Sequence, residues 1–137
     1  MSGKAFLDTN ILAYAADQSE TVKRMAARNL LSRLTQHGTP CISSQVVQEF
    51  FVTVTRKMGV APLAARDLVQ ALKGFELVTV DFEDIQAAID SHILWKISFW
   101  DALIITTARK AQCSVLYSED LNAGQSFSGV RVVNPFA

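Results

Sequence analysis

Residues 4–12, KAFLDTNIL, constrain the fold more than any other stretch. A short apolar run, Ala5-Phe6-Leu7, stops at Asp8-Thr9-Asn10, and apolar residues return at helical spacing as Ile11, Leu12, Ala15 and Ala16. That change of period reads as a strand running into a helix. In an open α/β sheet, ligands bind in the crevice outside the carboxyl ends of the strands, so Asp8 faces a potential site. An Asp at such a boundary is also an ordinary helix N-cap, and Asp8 alone decides nothing.

The same alternation recurs along the chain. Ser19 or Thr21 is expected to cap a helix with Val22, Met25, Ala26, Leu30 and Leu34 on its buried stripe, ended by His37-Gly38. Lys23, Arg24, Arg28 and Arg33 decorate its other faces, either as a solvated surface or as phosphate contacts. Pro40-Cys41-Ile42 is a short second strand, and Ser43 or Ser44 caps a helix whose arc Val46, Val47, Phe50, Phe51, Val54 and Met58 packs on the sheet. Glu49 lies just off that arc with no basic residue three or four positions away, so an intrahelical ion pair does not account for it.

Gly59 and Pro62 break the chain before a helix bearing Leu63, Ala64, Leu68, Val69 and Leu72, which Gly74 ends. Residues 75–80 read as a third strand. Asp81 and Asp84, at capping-box spacing, open a helix with Ile85, Ala88, Ile89, His92 and Ile93 on one side. His92 reads as a packed or dipole-facing residue. Ser98 caps the next helix with Asp101 in its first turn, beside Phe99 and Trp100. Residues 114–117 form a fourth strand, with Ser118-Glu119-Asp120 at its end as Asp8 stands at the end of the first. Gly124 and Gly129 bracket a loop before a last strand, Val130–Val133. The reading is one domain over residues 1–137, an α/β chain with a mostly parallel sheet covered on both faces.

Composition removes several alternatives. The 13 basic and 13 acidic residues cancel, so no chain-wide field draws polyanions, and nucleic-acid binding needs local patches. No apolar run approaches a membrane span, and none at the start resembles a signal peptide, so a soluble cytoplasmic protein is expected. Cys41 and Cys113 sit among apolar residues without zinc-ligand spacing and read as buried small side chains.

Four acids therefore stand at strand ends or early in helices: Asp8 and Asp120 after strands, Glu49 early in a helix and Asp101 in a first helical turn. Converging carboxylates without cations repel, and a hard divalent ion with oxygen ligands, Mg²⁺ or Mn²⁺, commonly stabilises them. Such sites hydrolyse phosphodiesters by activating water and stabilising the leaving oxygen.

LDTN around Asp8, SSQVVQEF around Glu49, ISFWDALI around Asp101 and YSEDLNAG around Asp120 together resemble the PIN-domain ribonucleases, and within them the VapC-like toxins of bacterial toxin–antitoxin pairs. The resemblance spans essentially the whole chain. It implies a three-layer α/β/α sandwich, Mg²⁺ or Mn²⁺ held by Asp8, Asp101 and Asp120, and Glu49 as a further ligand or the orienter of the attacking water. It also implies endonucleolytic cleavage of RNA, assistance from Asn10 and Ser118, an antitoxin partner and a homodimer. Glu119 is the reserve choice beside Asp120. Arg24, Arg28 and Arg56 are candidates for holding substrate phosphates. Two rivals are a haloacid-dehalogenase-like phosphatase, which needs a second Asp where Asn10 stands, and a non-catalytic receiver-like or partner-binding module in which Asp8 and Asp120 are only caps.

Overall fold

In the computed structural model, residues 3–121 and 123–137 are described; Asn122 of the YSEDLNAG segment lies outside them. The chain runs β1 (Lys4–Leu7), α1 (Thr9–Ala16), α2 (Thr21–His37), β2 (Thr39–Ser43), α3 (Ser44–Arg56) and α4 (Pro62–Gln70), then a 3₁₀ turn (Ala71–Gly74) and β3 (Glu76–Val78). It continues through α5 (Phe82–Trp95), α6 (Phe99–Lys110), β4 (Val115–Tyr117), β5 (Ser126–Phe127) and β6 (Val130–Val133).

Among the described residues six strands form one sheet in the order β3-β2-β1-β4-β6-β5, parallel except for the β5–β6 hairpin. The chain leaves β1 outward to β2 and β3, then returns to lay β4 on the other side of β1. Right-handed crossovers therefore put α1–α4 on one face and α5–α6 on the other, giving the expected α/β/α layering. Contacts agree: α1 packs on α2 and α3, α3 on α4, and α5 on α6. The reversal of strand order beside β1 opens a crevice at its carboxyl end, where Asp8 stands.

Burial on both faces explains why the central strands are apolar rather than alternating. Phe6, Leu7, Ile42, Leu116 and Val132 meet Ile11, Leu30, Val46, Val54 and Ile105 in one core. Truncating any of these large residues to Ala is expected to cost about 2–5 kcal/mol. Cys41 and Cys113 are free and buried, as expected, and burial pushes both thiols above their usual range.

Most helix starts are where capping chemistry puts them. Ser43 Oγ accepts from Val46 N at 3.2 Å, Ser98 Oγ from Asp101 N at 3.0 Å, and Asp81 with Asp84 closes a reciprocal capping box. The start of α2 differs. Glu20 is its N-cap and makes no side-chain capping bond, while Ser19 Oγ turns back to donate to Asp17 Oδ1 and Thr21 is already helical.

The expected stripes are only partly buried. On α2, Val22 is 83% exposed and Met25 is exposed too, while Ala27 and Leu30 carry the packing. On α4, Leu63 and Ala64 face out and Ala65 is buried. On α5, Ile85, Ile89 and Ile93 are exposed with Phe82, and Ala88 and Asp84 face inward. Periodicity identifies which residues share a face, and these faces are simply not covered within one chain. Boundaries also move: the third strand shortens to Glu76–Val78, the fourth starts at Val115 rather than Ser114, α3 ends at Arg56, before Met58, and α4 ends at Gln70, leaving Leu72 in the 3₁₀ turn.

The loop expected between Gly124 and Gly129 contains β5. Ser128 and Gly129 have φ of 51° and 89°, two left-handed residues in succession. That pairing suits a two-residue type I′ hairpin turn, which a Ser-Gly dipeptide does not announce as clearly as Asn-Gly does.

Candidate active site

Asp8 is 6% exposed at the last rung of the ladder, where its N–H donates to the Tyr117 carbonyl at 3.0 Å. It is the N-cap of α1, with Oδ1 accepting from Thr9 N at 2.7 Å. Its other oxygen, Oδ2, accepts from Ser118 Oγ at 2.8 Å. Capping and site geometry thus coexist in one carboxylate. Burial pushes the Asp8 carboxyl up to about 6; the Ser118 and Thr9 hydrogen bonds oppose this, and the charges of Asp120 and Glu49 add to it.

The turn after β4 is fixed by a compact polar network. Ser118 Oγ, fully buried, also accepts from Asp120 N at 3.1 Å and Leu121 N at 3.4 Å. Asn10 reaches across with both ends of its amide: Nδ2 donates to Asp120 Oδ2 at 3.1 Å, and Oδ1 accepts from Glu119 N at 3.2 Å. Glu119 also lines the cleft, with both of its oxygens occupied. Tyr14 Oη donates to its Oε1 at 2.7 Å and Lys23 Nζ pairs with its Oε2. Burial alone would raise the Glu119 carboxyl, but these two donors hold it below its usual range. The Lys23 ammonium lies 4.7 Å from the Tyr14 ring centroid, and the Phe136 ring packs edge-on to Tyr14 at 5.0 Å.

Glu49 enters from α3 with one donor on each oxygen: Thr9 Oγ1 on Oε1 at 2.8 Å and Gln45 Nε2 on Oε2 at 3.1 Å. Gln45 Nε2 also reaches the Trp100 carbonyl at 3.3 Å, tying α3 to the first turn of α6. Asp101 sits in that turn. Burial raises its carboxyl above the usual range, Ser98 opposes the shift, and the charges of Asp120 and Glu49 add to it.

The four acids come from four different elements and line one cleft of about 740 Å³, together with Thr9, Asn10, Gln45, Lys57, Trp100 and others. None of the four is ion-paired among the described residues, whose salt bridges are Lys4–Glu76, Lys23–Glu119 and Lys110 with Asp81 and Asp84. Arg24, Arg28 and Arg56 do not line the cleft. Arg28 Nε is spent on the Ala15 carbonyl at 2.8 Å, and Arg56 is exposed. Among the described residues the basic side chain lining the cleft is Lys57, one position beyond Arg56. His92 lies away from the cleft, its Nδ1 against the Ile97 carbonyl.

The donor set suits a divalent ion. Among the described residues, no three acids, imidazoles or thiols close on one point as a preformed cage. Mg²⁺ does not need such a cage, since it usually keeps several waters and takes one or two carboxylates directly. Gln45 Oε1 is buried in the cleft wall with no hydrogen-bond partner among the described residues, an acceptor left over beside four mutually repelling carboxylates.

Thr9, Gln45 and Lys57 are missing from the expected set. Gln45 could have been found as the residue one turn before Glu49, and Thr9 as the hydroxyl inside LDTN. Nothing in the sequence separates Lys57 from Arg56.

A strand-end Asp, helix-turn acids and a six-stranded α/β/α sheet define a class, and comparison with known proteins gives the same one. The PIN domain profile matches residues 5–125, and the chain belongs to the PIN-domain family. No curated protein matches it in sequence. Among solved structures, a toxin–antitoxin complex from Klebsiella pneumoniae is similar at 21% identity and a TM-score of 0.70, over 96% of this chain and 97% of that one. VapBC2 from Rickettsia felis, bound to a DNA fragment from its promoter, matches at 18% identity and 0.71, over 94% and 96%. VapC20 from Mycobacterium tuberculosis, a toxin that cleaves the sarcin-ricin loop, matches at 17% identity and 0.69, over 85% and 89%.

Proposed function

We propose that the protein is an Mg²⁺- or Mn²⁺-dependent endoribonuclease and the toxin of a toxin–antitoxin pair, acting in the cytoplasm. The observation that carries this is the meeting of Asp8, Glu49, Asp101 and Asp120 in one cleft, unpaired among the described residues, two of them with raised carboxyls. Asp8, Asp101 and Asp120 would hold the ion. Once bound, it would polarise the scissile phosphate and lower the pKa of the attacking water.

The remaining work falls to the protein's own side chains. Ser118 holds Asp8, and Asn10 holds Asp120 and the turn beneath it. Glu49, its two oxygens fixed by Thr9 and Gln45, is a further ligand or the group that orients the attacking water and accepts its proton. Glu119, occupied by Lys23 and Tyr14, anchors the turn rather than binding metal.

Two protein partners belong to the same reading. An acidic cleft is a receptor for an Arg side chain, so an antitoxin tail would inhibit by placing a guanidinium against Asp8 or Asp101. The solved neighbours from Klebsiella pneumoniae and Rickettsia felis are toxin–antitoxin assemblies, which supports such a partner. A second copy of the chain would cover the exposed row Phe82, Ile85, Ile89 and Ile93 on α5, making a homodimer.

Incubation with a mixed RNA pool, followed by mapping of the new ends, tests the nuclease. Discrete internal cuts are expected with Mn²⁺ and none with EDTA. Equal cutting in both, or none in either, would refute it.

A further inference from the structure

Glu119 and Asp120 are adjacent acids lining one cleft, and among the described residues only the first is paired with a cation. That cation, Lys23, comes from α2, and further contacts hold its ammonium in place. Lys23 Nζ donates to Tyr14 Oη at 3.3 Å and lies 4.7 Å from the Tyr14 ring centroid and 5.8 Å from that of Phe136. Phe136 is itself fixed, its N–H donating to Asn134 Oδ1 at 2.9 Å. An isolated pair on an open surface contributes little. Here the two side chains are only 35% and 24% exposed, two rings attract the ammonium, and each Glu119 oxygen has its own donor, Tyr14 on one and Lys23 on the other. The Glu119 backbone is pinned as well, its N–H donating to Asn10 Oδ1 at 3.2 Å.

We infer that Lys23 is a positioning residue that selects which of two adjacent acids serves the metal: by holding Glu119 against Tyr14 it keeps that carboxylate off the ion and leaves Asp120 as the ligand. The inference rests on the metal-dependent reading and adds to it a residue of α2 that touches neither the ion nor the substrate. A partly buried carboxylate stripped of its cation is an uncompensated charge and is driven toward another one. The affinity of an oxygen-ligand site for a divalent ion also rises with the number of charged ligands. Without Lys23, Glu119 becomes a free carboxylate on the cleft, and a bound ion is the cation within its reach.

Calorimetric titration with Mn²⁺ in the absence of RNA tests this, with a thermal melt of every variant as the check on folding. Lys23→Met keeps the aliphatic stem and removes the charge, and it should tighten Mn²⁺ binding about tenfold. Glu119→Gln added to it should return the affinity to that of the parent. The sharper consequence is suppression. Asp120→Asn should bind Mn²⁺ on the order of a hundredfold more weakly than the parent. Lys23→Met in that background should restore most of the loss, because the freed Glu119 takes over as ligand, and Glu119→Gln should abolish the restoration.

Lys23→Arg preserves the ion pair and can lie on the Tyr14 ring, so it should leave Asp120→Asn as weak as before. Lys23→Gln, neutral but still polar, gives the same comparison as Lys23→Met if the latter does not fold. A lysine that serves only the fold predicts a lower melting temperature, no recovery of Mn²⁺ affinity in Asp120→Asn, and no effect of Glu119→Gln on the pair of variants. That pattern, in a parent that binds Mn²⁺, would overturn the inference and leave the metal-dependent reading standing. A parent that binds no Mn²⁺ would refute both.

Discussion

Ser118 Oγ donates to Asp8 Oδ2 at 2.8 Å, joining the ends of two adjacent strands across 110 positions of sequence. The same oxygen accepts from the N–H groups of Asp120 and Leu121, so one buried hydroxyl sets the position of two acids. Asn10 Nδ2 donates to that hydroxyl as well, at 3.5 Å, so Ser118→Ala removes four bonds and leaves a buried carboxylate oxygen short of a donor. The expected cost is about 1–3 kcal/mol of stability. Because the lost bond had been lowering the Asp8 carboxyl, the acid limb of the cleavage pH profile should move upward. Thermal melts and a pH–rate profile check both, and an unmoved limb would mean that Ser118 acts only through the fold.

Without metal, Asp8 should destabilise the protein at neutral pH. Its folded value of about 6 lies above the ordinary 3.8, so the folded protein keeps a proton that the unfolded chain releases between them. This contribution to stability is full below about pH 4 and is lost as pH rises through about 6. A two-unit elevation corresponds to about 3 kcal/mol. Asp8→Asn should therefore melt higher than the parent in EDTA at pH 7, and lower relative to it once Mn²⁺ is added, because ligand stabilisation grows as RT ln(1 + [L]/Kd). A destabilised variant in EDTA with an unchanged metal response would reduce Asp8 to a helix cap.

What the sequence made legible were local devices. The strand-to-helix break at Asp8, the caps at Ser43 and Ser98 and the Asp81/Asp84 box follow from residues within a turn of one another, and all are present. The strand ends and helix starts placed four acids at one edge of the sheet, and the structure brings them to one cleft. What was illegible depends on pairs far apart in sequence or on surfaces outside the chain. Thr9 meets Glu49 across 40 positions, and Tyr14 meets Glu119 across 105. Val22, Met25 and the α5 isoleucines obey helical spacing yet lie open, because periodicity does not say whether anything covers the stripe. Arg56 and Lys57 differ by about 100° around the same helix end, enough to put one on the cleft and the other off it.

That open stripe on α5 gives a prediction about assembly. Ile89→Arg places a charge in the middle of Phe82, Ile85 and Ile93 without touching the core, since Ile89 is already exposed. Light scattering should show the parent as a dimer and the variant as a monomer with an unchanged melt at high dilution. A parent that is monomeric at the concentrations where it cleaves RNA would refute the dimer.

Glu119 and Asp120 are neighbours with different expected roles. Glu119→Gln keeps the Tyr14 bond and weakens the pairing to Lys23, so a modest loss of activity of about threefold to tenfold is expected, with near-parent Mn²⁺ affinity. Asp120→Asn should weaken Mn²⁺ binding directly. Titration calorimetry separates them, and the reverse order of metal affinities would exchange their roles.

The most direct measurement is RNA cleavage by Asp101→Asn beside the parent, in Mn²⁺ and in EDTA, with melts of both proteins. Asp101 packs in the first turn of a well-capped helix and makes no ion pair among the described residues, so an amide there should leave the fold within about 3 °C of the parent melting point. The expected result is a loss of about a hundredfold or more in cleavage, with none in EDTA for either protein. Cleavage by Asp101→Asn at the parent rate, or a parent rate that survives EDTA, would contradict the account.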